Sequence, residues 1–509
     1  MSHLTRITIL LAVFFGLDKV LAFIRQIIIA RQFGLSLELD AFNVANNIPD
    51  LLFALISGGA LAVAFIPVLS EVIVKEGHTA SWDLFSRIAN LAFIVTAILA
   101  VLVALASNPL VSWELGIAPG FEQAQQELVA ELMRLNLIAT LIFSISGLVM
   151  AGLQANQHFL LPAMAPALYN IGQIFGAVIL APEQGYHILG ITLPAFGLGV
   201  HGLVYGVILG AVLHLGIQIP GLIRYKFHWI PSLGLKTDSV QKVLKLMLPR
   251  LATMFSVQLI FLVRDNLASR LQEGAVTALS YGWMIQQVPE TLIGTAIGTA
   301  LLPTISEYFS KNDQEKFQAT IQRAGQILIA ILLPTAVILG AGLRPLLQLA
   351  FGFDSQGTDL LLWVTRAYLA GLVGQSLLEV ASRAFYSQQN ARIPLLAALL
   401  NLVIYIVFGS QLYRPLGSAG ISLSDSLAFT VQGIFLFLLL NRKVIKPFRF
   451  GNTLVKSLLA AATGGAVTAL VLYYGSAYSP LGAALLGMIL GVLAVIPFIR
   501  TELSLVFHL

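Results

Sequence analysis

Apolar stretches follow one another almost without interruption from Ile7 to Arg500. Few folds are open to a chain written this way. A backbone inside hydrocarbon finds no water for its N–H and C=O groups, so it must satisfy them internally. A spanning helix does so with roughly 20 mostly apolar residues. Read on that basis, the sequence predicts an all-α polytopic membrane protein with about fourteen transmembrane helices: 7–31, 40–69, 86–107, 128–153, 159–181, 195–222, 244–268, 275–305, 323–343, 357–386, 393–412, 416–440, 453–474 and 480–499. Composition agrees. Of 509 residues 58% are hydrophobic and 10% charged, against about 25% charged in soluble chains, and mean hydropathy is +0.88. A soluble enzyme, a disordered chain and a nucleic-acid binder are excluded; the net charge of +5 sits in short loops. With no cysteine, disulfides, thiolate zinc sites and cysteine nucleophiles are excluded too. The first apolar stretch holds Asp18, Lys19 and Arg25 and no small-residue cleavage site, so it does not read as a cleavable signal.

Loop charges set an expected orientation. With the N-terminus inside, the inner loops hold thirteen cations: Lys75, Arg87, Arg224, Lys226, Lys236, Lys242, Lys311, Lys316, Arg392, Arg442, Lys443, Lys446 and Arg449. The outer loops hold three, Arg270, Arg344 and Arg414. This bias predicts both termini in the cytoplasm. An internal repeat divides the chain further. Pro49–Glu71 resembles Pro289–Glu307, each opening with proline and an acid and closing on P-x-[LI]-S-E. Asn156, Pro162, Asn170 and Gly176 have counterparts in Asn390, Pro394, Asn401 and Gly409, 231 to 234 positions on. The expectation is two six-helix lobes in pseudo-twofold repeat, 1–222 and 244–449, joined by a basic cytoplasmic linker at 223–243. Two additional helices, 450–509, have no counterpart. Transporters are commonly built from such repeats, with the site near the midplane.

The chemistry lies in the intramembrane charges. A charge at a helix centre costs about 2.5–3.5 kcal/mol on insertion scales, so it faces a bundle interior or wet cavity. Lys19 falls near the middle of the first helix, and Asp18 and Arg25 share one face at a spacing of seven. They read either as a lock between helices or, as preferred here, as a cationic lining for an anionic substrate. On the second helix Asp40, Asn43, Asn47, Asp50 and Ser57 form a polar stripe ahead of Gly58 and Gly59. The eighth mirrors it with Gln287, Glu290, Thr291, Thr295 and Thr299 beside Gly294 and Gly298. Such a stripe is often only packing; two in repeated lobes point to a shared polar cavity. Arg264 with Asp265, Arg366, Arg134, Arg250 and Arg383 each read singly as structural, the last three able to snorkel. His214 has no second ligand three or four residues away and reads as a hydrogen-bonded core histidine. No phosphate-cradling glycine loop is present. No metal or cofactor is expected.

At this point the residues resemble a known family. Arg25–Ala45 (RQIIIARQFGLSLELDAFNVA) with Ile48–Glu71 is similar to the amino-terminal signature of the MurJ (MviN) lipid II flippases, and so are AGLQANQHFLLPAMAPALYN (151–170), GTALLPTISEYFS (298–310) and RAFYSQQNARIP (383–394). The resemblance covers nearly the whole chain. It implies the fold of the multidrug/oligosaccharidyl-lipid/polysaccharide (MOP) exporter superfamily, and as substrate lipid II, an undecaprenyl-diphosphate-linked peptidoglycan precursor, moved from inner to outer leaflet by alternating access. It also implies a groove for the lipid tail at the last two helices. The family's two first-helix arginines fall on Lys19 and Arg25, and the acid of its DAF motif on Asp40. Its arginine pair after P-N-L-L falls on Phe53 and Ala54, the following glutamate on Gly58, and its eighth-helix arginine on Met284. Three of five cavity cations are thus absent, and lysine replaces an arginine as a point charge but not as a bidentate diphosphate clamp.

The resulting expectation is a transporter, not an enzyme, in which Lys19, Arg25, Asp40, Asn43, Asn47 and Gln287 bind the substrate. Asp18, Asp50 and Glu290 are candidates for coupling to sodium, protons or the membrane potential, and Arg264 and Arg366 for compensating cations. Partners are the lipid-linked glycan and membrane lipids, not nucleic acid; a monomer is expected. Alternatives are a flippase for another undecaprenyl-linked glycan, such as an O-antigen or exopolysaccharide unit, and a scaffold that kept the fold without transport. A drug antiporter of the related MATE type is opposed by Lys19 and Arg25.

Overall fold

The computed structural model describes residues 3–58, 60–188, 190–442 and 447–505. Gly59, Lys443 and Lys446 lie outside the described residues, as do the side chains of Ser57 and Arg250. The fold is helical apart from one two-stranded hairpin. The first helices are α1 (His3–Phe33), α2 (Leu37–Ala45) and α3 (Asn47–Phe53); a wide π turn (Ala54–Gly58) leads to α4 (Ala60–Leu105). There follow α5 (Ser107–Ser112), α6 (Gln123–Ala155) and α7 (Leu160–Phe175), with a second π turn (Gly176–Leu180) and the antiparallel pair β1 (His187–Ile188) and β2 (Ile191–Thr192). The run continues with α8 (Gly199–Gly216), α9 (Ile219–Arg224) and α10 (Asp238–Ala268). Then come α11 (Ala275–Pro289), a third π turn (Glu290–Thr295), α12 (Ala296–Ser310), α13 (Gln314–Phe351), α14 (Ser355–Ala370), α15 (Leu372–Ser387), α16 (Arg392–Asn441), α17 (Gly451–Gly475) and α18 (Pro480–Ser504). Among the described residues, ten helices are long and apolar enough to cross a membrane. α1 and α10, 31 residues each, are not among those ten.

Helix length itself demands breaks. At 1.5 Å per residue the 46 residues of α4 would reach about 69 Å, twice a hydrocarbon core of about 30 Å. The chain turns at Gly77 (φ 88°, ψ 179°), a conformation closed to side-chain-bearing residues, and α16 breaks likewise at Gly417 (φ 58°, ψ −142°).

Both copies of the sequence repeat carry the same local breaks. The π turns after Phe53 and Pro289 start 236 positions apart. Gly77 and Asn312 (φ 57°) both take positive φ 235 positions apart. After the second of these, Asp313 caps α13 by accepting from the Lys316 amide at 3.1 Å. The hydrogen-bonded Lys316 ammonium holds its carboxyl below the usual range. α6 and α15 end in one motif. Gln157 and Gln389 are left-handed (φ 59° and 56°), and the next N–H reaches back five residues, from His158 to Leu153 at 2.9 Å and from Asn390 to Phe385 at 3.0 Å.

Packing divides the chain into two compact units, Met1–Arg270 and Leu271–Leu509. The first unit's main core gathers Phe65, Trp82, Phe85, Leu148, Val240 and Val243. Its last two members come from α10, and packing therefore groups α10 with this unit, whereas the repeat begins its second lobe at 244. The basic linker is strapped along α4. Trp82 Nε1 donates to the Tyr225 carbonyl at 3.0 Å, Asn90 Nδ2 to that of Ile230 at 2.7 Å, and His228 Nε2 meets Asp83 at 2.9 Å. α7 and its π turn meet α8 along a glycine seam. A Cβ on Gly176 would stand 2.6 Å from the Gly206 Cα, and one on Gly172 would strike the Gly210 backbone. Where lipid tails are as apolar as leucine, close backbone approach through small residues holds helices together.

The second unit's main core joins Phe317, Ile321, Leu328, Val380, Phe385 and Leu436. Here α17 and α18 pack on each other and on α13. Thr468 Oγ1 donates to the Gly487 carbonyl at 3.1 Å, and a Cβ on Gly342 would stand 2.7 Å from Met488.

Gly172→Leu in the first seam is expected to lower the detergent-solubilised thermal midpoint, by overpacking worth about 1–3 kcal/mol. A thermal melt read by size-exclusion fluorescence checks this, and an unchanged midpoint would refute the seam.

Candidate functional site

The first helix is held by a bridge. Arg25 Nη1 donates to Asn170 Oδ1 at 2.9 Å, and Asn170 Nδ2 donates to Asp18 Oδ1 at 2.8 Å. Spacing of seven puts Asp18 and Arg25 on one face of α1, and the buried amide on α7 offers an acceptor to one and a donor to the other. A neutral side chain thereby ties a cation and an anion across two helices. Lys19 is exposed and outside this bridge.

The stripe on α2 and α3 resolves into three environments. Asp40 is buried and Asn43 half-buried on α2. Asn47 Nδ2 donates to Asp265 Oδ2 on α10, whose other oxygen accepts from Arg264 Nε at 2.8 Å. Arg264 also lies over the Phe261 ring, 5.0 Å from its centroid. Asp50, one turn further on, lines a cavity of about 270 Å³ with Asn46, Phe53, Asn136, Thr140, Phe143, Tyr169 and His214. The whole cavity lies within the first unit. Of the positions where the family has arginines, Phe53 is thus on a cavity wall, 5.2 Å from the Phe143 ring, Ala54 opens the π turn, and Met284 is half-buried on α11. His214 has the hydrogen-bonded core role expected of it. Its Nδ1 lies 2.6 Å from Ser146 Oγ, which also accepts from Gln218 Nε2 at 3.0 Å.

The stripe of the second unit packs closely. Gln287 Nε2 donates to Gln286 Oε1 at 3.2 Å, and Gln286 in turn to Gln375 Oε1 at 2.7 Å. Glu290 is buried and accepts from Thr295 Oγ1 at 3.1 Å. Cβ atoms on Gly294 and Gly298 would meet Ser376 and Arg383 of α15. Arg383 pairs with Glu379 at 3.1 Å, Arg366 Nε donates to the Gly340 carbonyl at 2.7 Å, and Arg134 Nε to that of Ala104 at 3.2 Å. The structure therefore brings Asp18 and Arg25 into one network and Asn47 and Arg264 into a second. Asn136, Tyr169 and Thr140, beside Asp50, were missed by sequence reasoning; Asn136 and Thr140, four apart on one face of α6, form a short polar stripe that could have marked them, whereas only a contact marks Tyr169.

Comparisons with solved structures place the fold. A lipid II flippase MurJ in an inward closed conformation superposes with a TM-score of 0.77 at 20% identity, covering 98% of this chain and 99% of that one. An inward-facing multidrug resistance MATE transporter of the MOP superfamily gives 0.68 at 17% identity, covering 84% and 94%. The chain shares the fold of these two proteins, that of a polytopic helical membrane protein. The sequence narrows the class. A model of the family "Lipid II flippase MurJ" matches residues 29–500, and the lipid II flippase MurJ of Burkholderia cenocepacia is 30% identical over 442 residues, 84% of this chain and 82% of that protein. A probable lipid II flippase MurJ of Bdellovibrio bacteriovorus is 27% identical over 432 residues, covering 84% and 80%. The chain belongs to the MurJ family.

Asn170→Leu removes both halves of the α1–α7 bridge while keeping the volume. Leaving charged groups without their hydrogen bonds is expected to cost about 1.5–3 kcal/mol. A thermal melt in detergent, compared with Asn401→Leu at the repeat-related position, measures it; equal midpoints for wild type and Asn170→Leu would refute the bridge.

Proposed function

We infer that the chain is a flippase that carries lipid II from the inner to the outer leaflet of a bacterial cell membrane. The observation that carries this reading is family membership over residues 29–500, joined to a cation, Arg25, held at a fixed place within a membrane helix. A diphosphate needs charge-assisted donors in a low-dielectric site, and Arg25 and Lys19 supply them. Alternating access then presents the head group first to one face of the membrane and afterwards to the other.

In this reading the chain crosses the membrane fourteen times, with both termini in the cytoplasm. Ten apolar helices, the breaks at Gly77 and Gly417, and the lengths of α1 and α10 support that number. The substrate-binding set is Lys19, Arg25, Asp40, Asn43, Asn47 and Gln287, in a molecule acting as a monomer. The two lobes span 1–222 and 244–449, and the helices after 450 form an added pair. The cycle is reset by sodium, protons or the membrane potential acting through Asp18, Asp50 or Glu290. A second reading, another undecaprenyl-diphosphate-linked glycan, is favoured by Phe53, Ala54 and Met284 standing where the family carries arginine.

Complementation of a bacterium depleted of its own lipid II flippase, with a parallel assay of lipid II at the outer face, tests the reading. Rescue is expected. Failure with the protein present in the membrane would overturn it in favour of another lipid-linked glycan or a scaffold. Arg25→Ala is expected to abolish rescue at unchanged membrane abundance, and full activity would remove Arg25 from the site. Arginines introduced together by Phe53→Arg, Ala54→Arg and Met284→Arg are expected to raise retention of diphosphate lipid on the purified protein. Unchanged retention would show that these positions no longer face substrate.

A further inference from the structure

The cavity around Asp50 has a carboxyl group that the protein leaves without a partner, on a residue that is itself exposed. Among the described residues the Asp50 carboxylate makes no hydrogen bond or ion pair. A charge within a membrane helix normally finds a partner. The other acids of the first unit's polar clusters have one: Asp18 takes the Asn170 amide, and Asp265 takes Arg264 and Asn47. Arg25, a cation of the same unit, bonds to Asn170.

The wall supplies a second acceptor without a donor. Asn136 is 2% exposed and lines the cavity. Its Nδ2 donates to Asn46 Oδ1 at 2.7 Å, while its buried Oδ1 has no donor among the described residues. A carboxyl group and a spare carbonyl oxygen lining one small cavity suit a cation that carries N–H groups.

Size and lining choose among cations. The cavity, about 270 Å³, is far larger than the one probe sphere, about 10–15 Å³, that a single water needs. A bare inorganic ion would leave most of that space unfilled. The volume falls just short of the ~300–1,000 Å³ of whole-ligand pockets, so it suits one functional group with a short alkyl stem. Aromatic rings form much of the wall: Phe53, Phe143 and Tyr169 stand in a row, centroids 5.2 Å and 5.1 Å apart, and His214 lies 5.3 Å from Phe143. Aromatic faces attract organic ammonium groups through their quadrupoles.

We propose that this cavity is a binding site for a primary alkylammonium group, with Asp50 as counter-ion, Asn136 Oδ1 as a hydrogen-bond acceptor and Phe53, Phe143 and Tyr169 as the aromatic wall. In the flippase reading, on which this clause alone rests, the ammonium belongs to the transported head group. The site then selects amine-bearing cargo, apart from the cationic residues that hold its diphosphate. Phe53 is central to that selectivity, since an arginine there would set a cation beside Asp50.

The test uses the purified full-length chain in detergent and follows its thermal midpoint against n-butylammonium chloride, n-butanol, and sodium chloride at matched ionic strength. A ligand that binds the folded state raises the midpoint by mass action. Saturable stabilisation by n-butylammonium, absent with n-butanol and sodium chloride, is expected. Asp50→Asn is expected to raise the half-saturating concentration roughly tenfold or more, the scale of a lost charged hydrogen bond. Phe53→Arg is expected to abolish the effect. Equal half-saturation in wild type and Asp50→Asn overturns the proposal. Equal stabilisation by sodium also overturns it and assigns an inorganic cation. Should Asp50→Asn not fold, the wild-type ligand series and Phe53→Arg decide by themselves. A chain that binds n-butylammonium but fails complementation keeps the site and loses the flippase reading; rescue without binding does the reverse.

Discussion

Hydrocarbon offers no hydrogen bonds, and the rest of this structure depends on that constraint. Every backbone amide in a spanning segment must find its partner within the protein, which makes the fold helical. Buried charges there do so too. The bridge from Arg25 through Asn170 to Asp18, and the chain from Arg264 through Asp265 to Asn47, are answers to one demand. Association of the helices follows from it too. With lipid as apolar as leucine, the drive for α7 to meet α8 comes from contact at the glycine seam, where two backbones touch.

Much of the fold is legible in the sequence because the signal is collective. Roughly twenty apolar residues in a row announce a helix whichever residues they are. Positive charges in the loops and the proline–acid opening of the repeat act over similarly broad windows. Gly77 is different. Its polar neighbours Lys75, Glu76 and His78 mark a loop, but not that the break falls on this one residue at positive φ, and nothing marks Gly58 as the close of a π turn. Packing of α10 with the first unit is likewise unreadable, since Val240 and Val243 would suit any apolar surface.

The site is legible only where charge density exposes it. Asp18, Lys19 and Arg25 stand out because a membrane helix seldom tolerates them. Asn170 draws notice through the repeat, but its task as mediator between the other two depends on a contact 145 residues away in sequence. Tyr169 carries no signal at all until Asp50 is placed beside it. In the second unit's stripe, Gly294 and Gly298 are the places where α15 presses in, the packing role that such a stripe of small residues often has.

The π turns have a consequence for how such a protein changes over generations. Each holds one residue more than a regular helical turn would use. An ordinary α-helix advances about 100° per residue, so loss of a single codon within residues 54–58 would tighten the turn and swing the preceding segment, Asp50 and Phe53 included, by that angle relative to α4. A new set of side chains would then face the cavity with the rest of the helix in register. Small deletions, which wreck most helices, would here act as a switch of lining, and the repeated π turn at Glu290–Thr295 gives the second unit the same latitude.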